Sequence, residues 1–493
     1  MNKNILSFIL WPIIVFIGTF IAYKIVHIPK QAEFVLIIAF LLFYPILRYP
    51  TVGLYIVFTI SPLIPFFRRL YYLVYGRPGI DPLIMMPDLF IILIFIGIFF
   101  EFRERIRMDS NKDILLLITL YLAYLIIRTF VFNSLPLQEA IAKLKFYAPS
   151  VIMFYIGWLF ANNHRLLKRI LFLSIILGII SCLYGFNQLF LGYSTAEKLW
   201  FSSISFTTLF IKGIARPFSF FQSPAAFADY LIICIICLLI FTDIIKSPYK
   251  IVAFIIIPIL FYGVLITSVR SSWVGAMFVF FVWFVFLRIK NVGGRIIMIL
   301  FLICFFIVYQ YFDDVITSGI GFKGVNSIIF SPSTQNTSYV DLLVTKRASA
   351  LVNPFEEHSF VSRIALWKFI ITSSVNIERA LLGRGLGVLN ADSLYFTYLA
   401  EFGYPGFLFI VFLTLMFILR GLKIINYSQN KFVVALVKGI ITLNFSFAIM
   451  NITGSHLLSF PGDFYFWFLN GALISYYSKN ENNNYAKIEE KKL

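Results

Sequence analysis

Long apolar blocks recur through this chain and restrict its fold more than any other feature does. Of its 493 residues, 60% are hydrophobic and only 13% are charged, whereas a soluble domain carries roughly 25% charged residues. Many of the blocks have about the ~20 residues that an α-helix needs to cross a bilayer. Because a chain in lipid has to satisfy its own backbone hydrogen bonds, each block predicts a helix. The sequence therefore predicts an all-α, polytopic membrane protein.

We predict about 14 transmembrane helices. Because several of the blocks are short for the length that a span requires, the predicted range is about 12–14. The first block is followed by no small-residue cleavage site, so we interpret it as a spanning helix and not as a signal peptide. The predicted spans are residues 5–23, 33–47, 51–67, 83–101, 113–133, 147–161, 170–192, 225–244, 251–267, 272–287, 296–312, 405–419, 433–450 and 462–477.

The polar stretches between the blocks divide the chain into five regions. Residues 1–192 are expected to form N-terminal transmembrane helices, and residues 193–312 central helices with arginine-bearing external loops. Residues 313–392 are expected to form a large extracytoplasmic loop that carries short helices. Residues 393–478 return to transmembrane helices, and residues 479–493 form a cytoplasmic tail. Because loops carry function when a rigid scaffold presents them, the external loops are the candidate functional regions.

Much of the net charge of +18 follows from topology and does not indicate a nucleic-acid partner. Lys and Arg accumulate in the cytoplasmic loops of membrane proteins. Clusters such as Arg103, Arg105 and Arg107, together with the lysine-rich tail, favour a cytoplasmic location for both termini. The remaining positive charge is expected to face anionic membrane lipids or phosphate groups of a substrate.

The cysteines indicate neither a redox site nor a metal site. Cys182, Cys234, Cys237 and Cys304 all lie inside apolar segments. Cys234 and Cys237 have the CxxC spacing, but no second pair of ligands lies near them in the sequence. We interpret them as small buried apolar side chains, and we expect no metal and no cofactor.

Two arginine-bearing segments stand at predicted external boundaries of the membrane. Arg216 and Gln222 precede the span at 225–244, and Arg270 lies in the short polar link between two spans. A guanidinium group stays charged and matches phosphate oxygens with a planar fork of donors. The alternative is that each arginine only extends its charged end to the interface.

The segment from residue 363 to residue 406 is the most informative polar stretch, because polar groups against a membrane are costly. An arginine and a tryptophan four residues apart share one helix face, and a glycine-rich turn precedes the next helix. A break ahead of Pro405 then ends a short helix over 393–402. The residues of interest are Arg363, Trp367, Gly383, Gly385, Gly387, Asp392, Tyr395 and Glu401.

Asp392 has two interpretations that do not exclude each other. An aspartate here is a suitable N-cap for the helix predicted to begin at Ser393, and it is also a candidate general base, with Glu401 as the second candidate. His358 and His456 are external and could approach this site, but neither fits the motif. Ionisable residues inside or beside spans are further candidates with unnamed partners, namely Asp88, Arg128, Asp229 and Lys438.

The order of these motifs resembles the O-antigen ligase and Wzy-type polysaccharide polymerase superfamily. The resemblance covers residues 210–420, and its specific part is 363–406. Ligases of that superfamily commonly carry a histidine near Asp392, whereas Asp392 and Ser393 here are more similar to the polymerase-like members. The resemblance implies that Arg216 and Arg270 bind the diphosphate of a lipid-linked sugar. We expect Arg363 to contribute to diphosphate binding, and we expect supporting roles for Trp367, Gly383, Gly385, Gly387, Tyr395 and Gln222.

The expected function is polymerisation of polyprenyl-diphosphate-linked repeat units of O-antigen or exopolysaccharide outside the bacterial inner membrane, by a metal-independent glycosyltransferase. The expected partners are the lipid-linked glycan and membrane lipids, with a chain-length regulator as a candidate. One alternative is a ligase that transfers glycan to lipid A core or to protein. A second, from another class, is a glycolipid transporter or flippase, although no matching halves with interrupted helices are visible.

Overall fold

The computed structural model describes residues 42–75, 82–101, 112–131, 136–203, 209–211, 214–245, 247–288, 358–387 and 391–490. The described chain is almost entirely helical. In chain order the helices and strands are α1 Pro50–Thr59, α2 Ile64–Tyr75, α3 Met86–Glu101, α4 Lys112–Phe130, α5 Leu137–Leu144, α6 Ala148–Phe160, α7 His164–Phe190, α8 Thr195–Ser203, β1 Phe210–Ile211, β2 Ile214–Ala215, α9 Pro224–Ile244, α10 Ser247–Ile266, α11 Arg270–Phe280, α12 His358–Ser373, α13 Ile377–Leu382, α14 Leu394–Tyr427, α15 Lys431–Met450 and α16 Gly462–Glu490. Short 3-10 helices lie at Ser61–Leu63, Pro82–Met85 and His456–Leu458, and α11 continues as a π-helix over Phe281–Arg288.

Seven helical segments of the described chain are long and apolar enough to cross a membrane, which is the character of a membrane protein. They are Pro50–Val74, Asp113–Phe130, His164–Phe190, Pro224–Ile244, Arg270–Leu287, Leu394–Tyr427 and Lys431–Met450. Leu83–Ile98 and Lys250–Ile266 are shorter apolar helices. These segments agree with predicted spans. The predicted spans 5–23 and 296–312, most of 33–47, residues 313–357 of the long loop, and Cys304 lie outside the described residues.

The chain divides into two compact units. The first unit comprises residues 1–104 and 194–205, and in its described part α8 packs against α2. Arg69 and Glu197 are both buried there, with Arg69 Nη1 3.8 Å from Glu197 Oε1. The neighbouring Arg68 guanidinium lies 5.1 Å from the centre of the Trp200 ring. Within this unit the two adjacent arginines are therefore held by a carboxylate and by an aromatic ring.

The second unit, residues 105–193 and 206–493, is a helical bundle built around α9. Nearly every residue of α9 is buried, as expected for a helix that is apolar on all sides. It packs against α7, α10, α11, α15 and α16. The three buried cysteines of the described chain, Cys182, Cys234 and Cys237, lie in α7 and α9 as free thiols, which confirms that they are small core side chains.

The closest helix pair of this unit is α6 with α16, which approach each other through glycines. A Cβ on Gly157 would overlap the Phe468 carbonyl oxygen, and one on Gly471 would overlap that of Phe154. Small residues at a helix interface allow backbones to come this close, and van der Waals contact then replaces the missing hydrophobic drive in lipid. This pair supports α16, which follows the 3-10 helix His456–Leu458 in the chain.

Candidate functional site

One end of the second unit gathers the polar segments that separate its helices. Four segments meet there, namely the start of α9, the link from α10 to α11, the start of α14 and the link from α15 to α16. We call this region, residues 216–229, 267–271, 391–394 and 451–457, the polar end. Backbone hydrogen bonds hold it together, since the Leu394 N–H lies 3.0 Å from the Asn451 carbonyl and 3.1 Å from that of Gly454.

The segment that carries Arg216 is fixed from α7. Gln188 Oε1 accepts hydrogen bonds from the backbone N–H of Phe218 at 3.0 Å and of Ser219 at 2.8 Å. Ser219 adopts a positive φ of 52°, and its hydroxyl donates to the Ser181 carbonyl at 2.6 Å. Sequence reasoning missed Gln188, because one glutamine inside an apolar span has no distinctive spacing.

The two arginine segments come together at the polar end. Arg216 Nη1 donates to the Ser268 carbonyl at 3.4 Å, and Ser268 belongs to the tight turn, with φ of 54°, that leads into α11 at Arg270. Arg270 is half-buried in the first turn of that helix, and Gln222 is half-buried two residues before α9. The turn at Ser268, which leads directly to Arg270, is thus also the segment that Arg216 contacts.

The predicted pairing of Arg363 and Trp367 on one face of α12 is confirmed, and that face packs on the start of α14. Arg363 Nε lies 3.5 Å from Asp392 Oδ2. The indole Nε1 of Trp367 donates to the Ala391 carbonyl at 3.0 Å, and its ring stacks on Phe396 with centres 4.7 Å apart. Residues far apart in the 363–406 segment therefore form one contact unit.

The prediction that Asp392 caps α14 is wrong. The helix starts at Leu394, and Ser393 occupies the N-cap position without a side-chain cap bond. Asp392 has φ of 48°, a left-handed conformation that aspartate tolerates better than most residues. Its carboxylate is 59% exposed. An Asp392 cap would accept a hydrogen bond from the Leu394 N–H. That N–H instead donates to carbonyl groups of the 451–454 loop.

The predicted break ahead of Pro405 is confirmed, and the glycine turn completes it. Gly403 has φ of 68° inside α14, and Pro405 has no N–H to offer the Glu401 carbonyl four residues earlier. The turn supplies the missing donors, because the Arg384 N–H lies 2.7 Å from the Ala400 carbonyl and the Gly385 N–H lies 3.3 Å from that of Glu401.

This contact requires glycine on both sides. Gly383 has φ of 67°, and a Cβ on it would overlap the Glu401 carbonyl group. A Cβ on Gly403 would overlap the Ala380 carbonyl oxygen. Gly385 and Gly387 also have positive φ, of 112° and 72°. The glycine-rich turn therefore packs its backbone directly against the break in α14 and holds it by hydrogen bonds; we call this contact the clamp on α14.

Glu401 and Tyr395 hold this part of the site in place. The Glu401 carboxylate is buried, and it accepts a hydrogen bond from the Gly387 N–H at 2.7 Å and another from the Tyr147 hydroxyl. Tyr395 donates to the Ala448 carbonyl of α15 at 2.9 Å. Both Glu401 oxygens thus bind groups of the protein, whereas the Asp392 side chain lies at the surface of the polar end.

An Asp–His–Ser arrangement at the polar end, with the Asp and the His buried, was not predicted. His456 Nδ1 lies 2.8 Å and 2.9 Å from the two Asp229 oxygens, and His456 Nε2 lies 2.9 Å from Ser271 Oγ. Ser272 donates to Asp229 Oδ1 at 3.3 Å. Asp229 and His456 were noted separately in the sequence, but their contact joins residues more than 200 positions apart. For Lys438 the structure likewise supplies a partner, Asp243 at 3.2 Å.

Comparisons with known proteins find no matching family model, no matching curated protein and no matching solved structure. Among the described residues, no group of three or more His, Cys, Asp or Glu side chains is placed to hold a metal ion.

Proposed function

We propose that this chain is a polytopic glycosyltransferase of the bacterial inner membrane that polymerises polyprenyl-diphosphate-linked oligosaccharide repeats. In this proposal the chain has about 14 spans of bilayer length, both termini are cytoplasmic, and the polar end and the 313–392 loop face outward. The lipid-linked repeat is both donor and acceptor, and it belongs to O-antigen or exopolysaccharide synthesis.

The observation that carries the proposal is the meeting of Arg216 with the turn of Arg270. Arg216 Nη1 lies 3.4 Å from the Ser268 carbonyl, two residues before Arg270. Two arginines at one turn favour a diphosphate, since each guanidinium group can offer a planar pair of donors. The start of α14, with Asp392, belongs to the same polar end and can receive the sugar next to that diphosphate, and Arg363 of α12 reaches Asp392 from outside it.

The proposed reaction needs little more than charge stabilisation and a base. The bond between the anomeric carbon of the donor and its diphosphate oxygen breaks, and the diphosphate leaves with the electron pair. Arg216 and Arg270 offset the charge that develops on it. The acceptor hydroxyl forms the new bond to the anomeric carbon and passes its proton to Asp392. Arg363 orients Asp392 through the contact at 3.5 Å.

The direct test is to incubate the purified full chain with a polyprenyl-diphosphate-linked repeat unit and separate the products on a gel. A ladder of products is expected. A single shifted product that requires an added second acceptor would replace polymerase by ligase. Movement of the intact lipid across a vesicle bilayer without a new product would replace glycosyltransferase by flippase.

A further inference from the structure

The Asp229, His456 and Ser271 contacts have the geometry of an activated serine. A nucleophilic hydroxyl requires a base within about 2.6–3.2 Å and a third group that orients the base. His456 Nε2 lies 2.9 Å from Ser271 Oγ, and its Nδ1 lies 2.8 Å from Asp229 Oδ1. With Nδ1 protonated and bonded to Asp229, Nε2 is left as an acceptor for the serine proton.

Burial decides which of the three groups can react. Asp229 is 0% exposed and His456 is 3% exposed, whereas Ser271 is only half-buried. Gly454 closes one side of the imidazole, because a Cβ on that residue would overlap His456 Nε2. The histidine contacts Ser271 through Nε2, and of the three residues only Ser271 keeps partial exposure. This order favours a serine nucleophile over direct action of His456 on a substrate.

The position of Ser271 in the first turn of α11 adds a site for developing negative charge. The first N–H groups of a helix have no partner within the helix, and the first backbone bond of α11 runs from the Trp273 N–H to the Val269 carbonyl at 3.1 Å. Donors of this kind stabilise the oxyanion of a tetrahedral intermediate. The sharp turn at Ser268, with φ of 54°, directs the chain into this helix.

We propose that Ser271, His456 and Asp229 form an acyl-transfer site that cleaves carboxylic esters of anionic molecules. Ser271 Oγ attacks the ester carbonyl carbon while its proton passes to His456 Nε2, and Asp229 stabilises the imidazolium. The bond from the carbonyl carbon to the alcohol oxygen breaks, and His456 gives the proton to the departing alcohol. Water then attacks the acyl-serine by the same route, which releases the carboxylic acid and restores Ser271.

The arginines select the class of ester. Arg270 directly precedes Ser271, and Arg216 contacts the Ser268 carbonyl of the same turn at 3.4 Å. An ester whose carrier also bears a phosphate can bind both the nucleophile and these cations. Such a carrier is an anionic phospholipid or a phosphate-linked glycan with O-acyl groups. The assignment does not require glycosyl transfer, although it uses the same two arginines.

The test is covalent labelling of the full chain in detergent with a fluorophosphonate probe, read by mass spectrometry of the Ser271 peptide. Labelling at Ser271 is expected in the wild-type protein, with none in Ser271→Ala. Asp229→Asn, which keeps the volume of the side chain, is expected to slow labelling by ~10⁴-fold, as in other triads. Ser446→Ala is the matched control, since that buried serine donates to Gly275 of the same α11 helix at 3.0 Å.

The proposal is overturned if the wild-type chain is not labelled at Ser271. It is also overturned if His456→Ala is labelled at the same rate as the wild type. The source of the ester is separated by two substrates. Fatty-acid release from phosphatidylglycerol vesicles assigns the lipid, and acetate release from an O-acetylated sugar phosphate assigns the glycan. Equal cleavage of neutral 4-nitrophenyl acetate and of the anionic esters overturns the role given to the arginines.

Discussion

Two aspartates at the polar end each have an ionisable partner, but they differ in exposure and in where that partner lies in the chain. Asp392 is 59% exposed and lies 3.5 Å from Arg363, a residue 29 positions earlier in the same motif. Asp229 is 0% exposed and lies 2.8 Å from His456, which comes from the far end of the chain. An exposed pair contributes little to stability, whereas a buried carboxylate that loses its partner is costly.

The difference teaches how to separate chemistry from folding. A change at Asp392 should reveal its effect in turnover while the fold is kept. A change at Asp229 should affect the fold as well, so activity lost there is informative only beside a stability measurement.

Asp392→Asn is expected to lower glycan transfer by roughly 10²–10⁴-fold, because an amide cannot take up the proton of the acceptor hydroxyl. Stability should change by less than ~0.5 kcal/mol, as at other exposed positions. Turnover measured with the lipid-linked repeat, beside a thermal unfolding curve in detergent, checks both parts. Near-normal turnover would remove Asp392 as the base.

Gly383→Ala is expected to destabilise the second unit by ~2–4 kcal/mol, from the strain of ~1–3 kcal/mol that a non-glycine residue has at φ of 67° and ψ of −164° and from overpacking against Glu401 of at least ~1 kcal/mol. Gly192→Ala is the matched control, since Gly192 has φ of 88° but a Cβ added there would meet no atom within 4 Å. That control should show the strain alone. Equal losses in the two variants would mean that the turn does not clamp α14.

Arg216→Lys and Arg270→Lys are each expected to lower transfer by the equivalent of ~1.5–3 kcal/mol, the contribution of a charge-assisted hydrogen bond. Lysine keeps the charge but loses the planar fork that matches a diphosphate. Arg165→Lys is the control. Arg165 is exposed and lies at the end of α7 opposite Gln188, so this variant should transfer glycan normally. Full activity of both lysine variants would reduce these arginines to interface contacts.

Asp229→Ala is expected to cost ~1–3 kcal/mol of unfolding free energy, because His456 and Ser272 lose a buried acceptor. Asp392→Ala should cost less than ~0.5 kcal/mol. Chemical or thermal unfolding of the two variants in the same detergent makes the comparison. The contrast between the two aspartates fails if their losses in stability are the same.

The helical fold and much of the 363–406 unit could be predicted because their signals are local. Apolar run length gives helices, four-residue spacing places Arg363 and Trp367 on one face, and a glycine two residues before Pro405 marks the break in α14. The N-cap assignment of Asp392 failed because the donor it was expected to satisfy, the Leu394 N–H, is bonded 3.0 Å from the carbonyl of Asn451, a residue from another part of the chain.

What the sequence alone determined is the membrane character, the position of the apolar helices and the segments that carry arginine and glycine, all of which depend on neighbours within a few residues. The tertiary structure decided that the glycine turn donates to the broken α14 helix. It also decided that Asp229, Ser271 and His456 meet. These contacts join residues from different helices, and only the packing of α9, α11, α14 and α15 into one bundle brings their ends close enough for hydrogen bonds of about 3 Å.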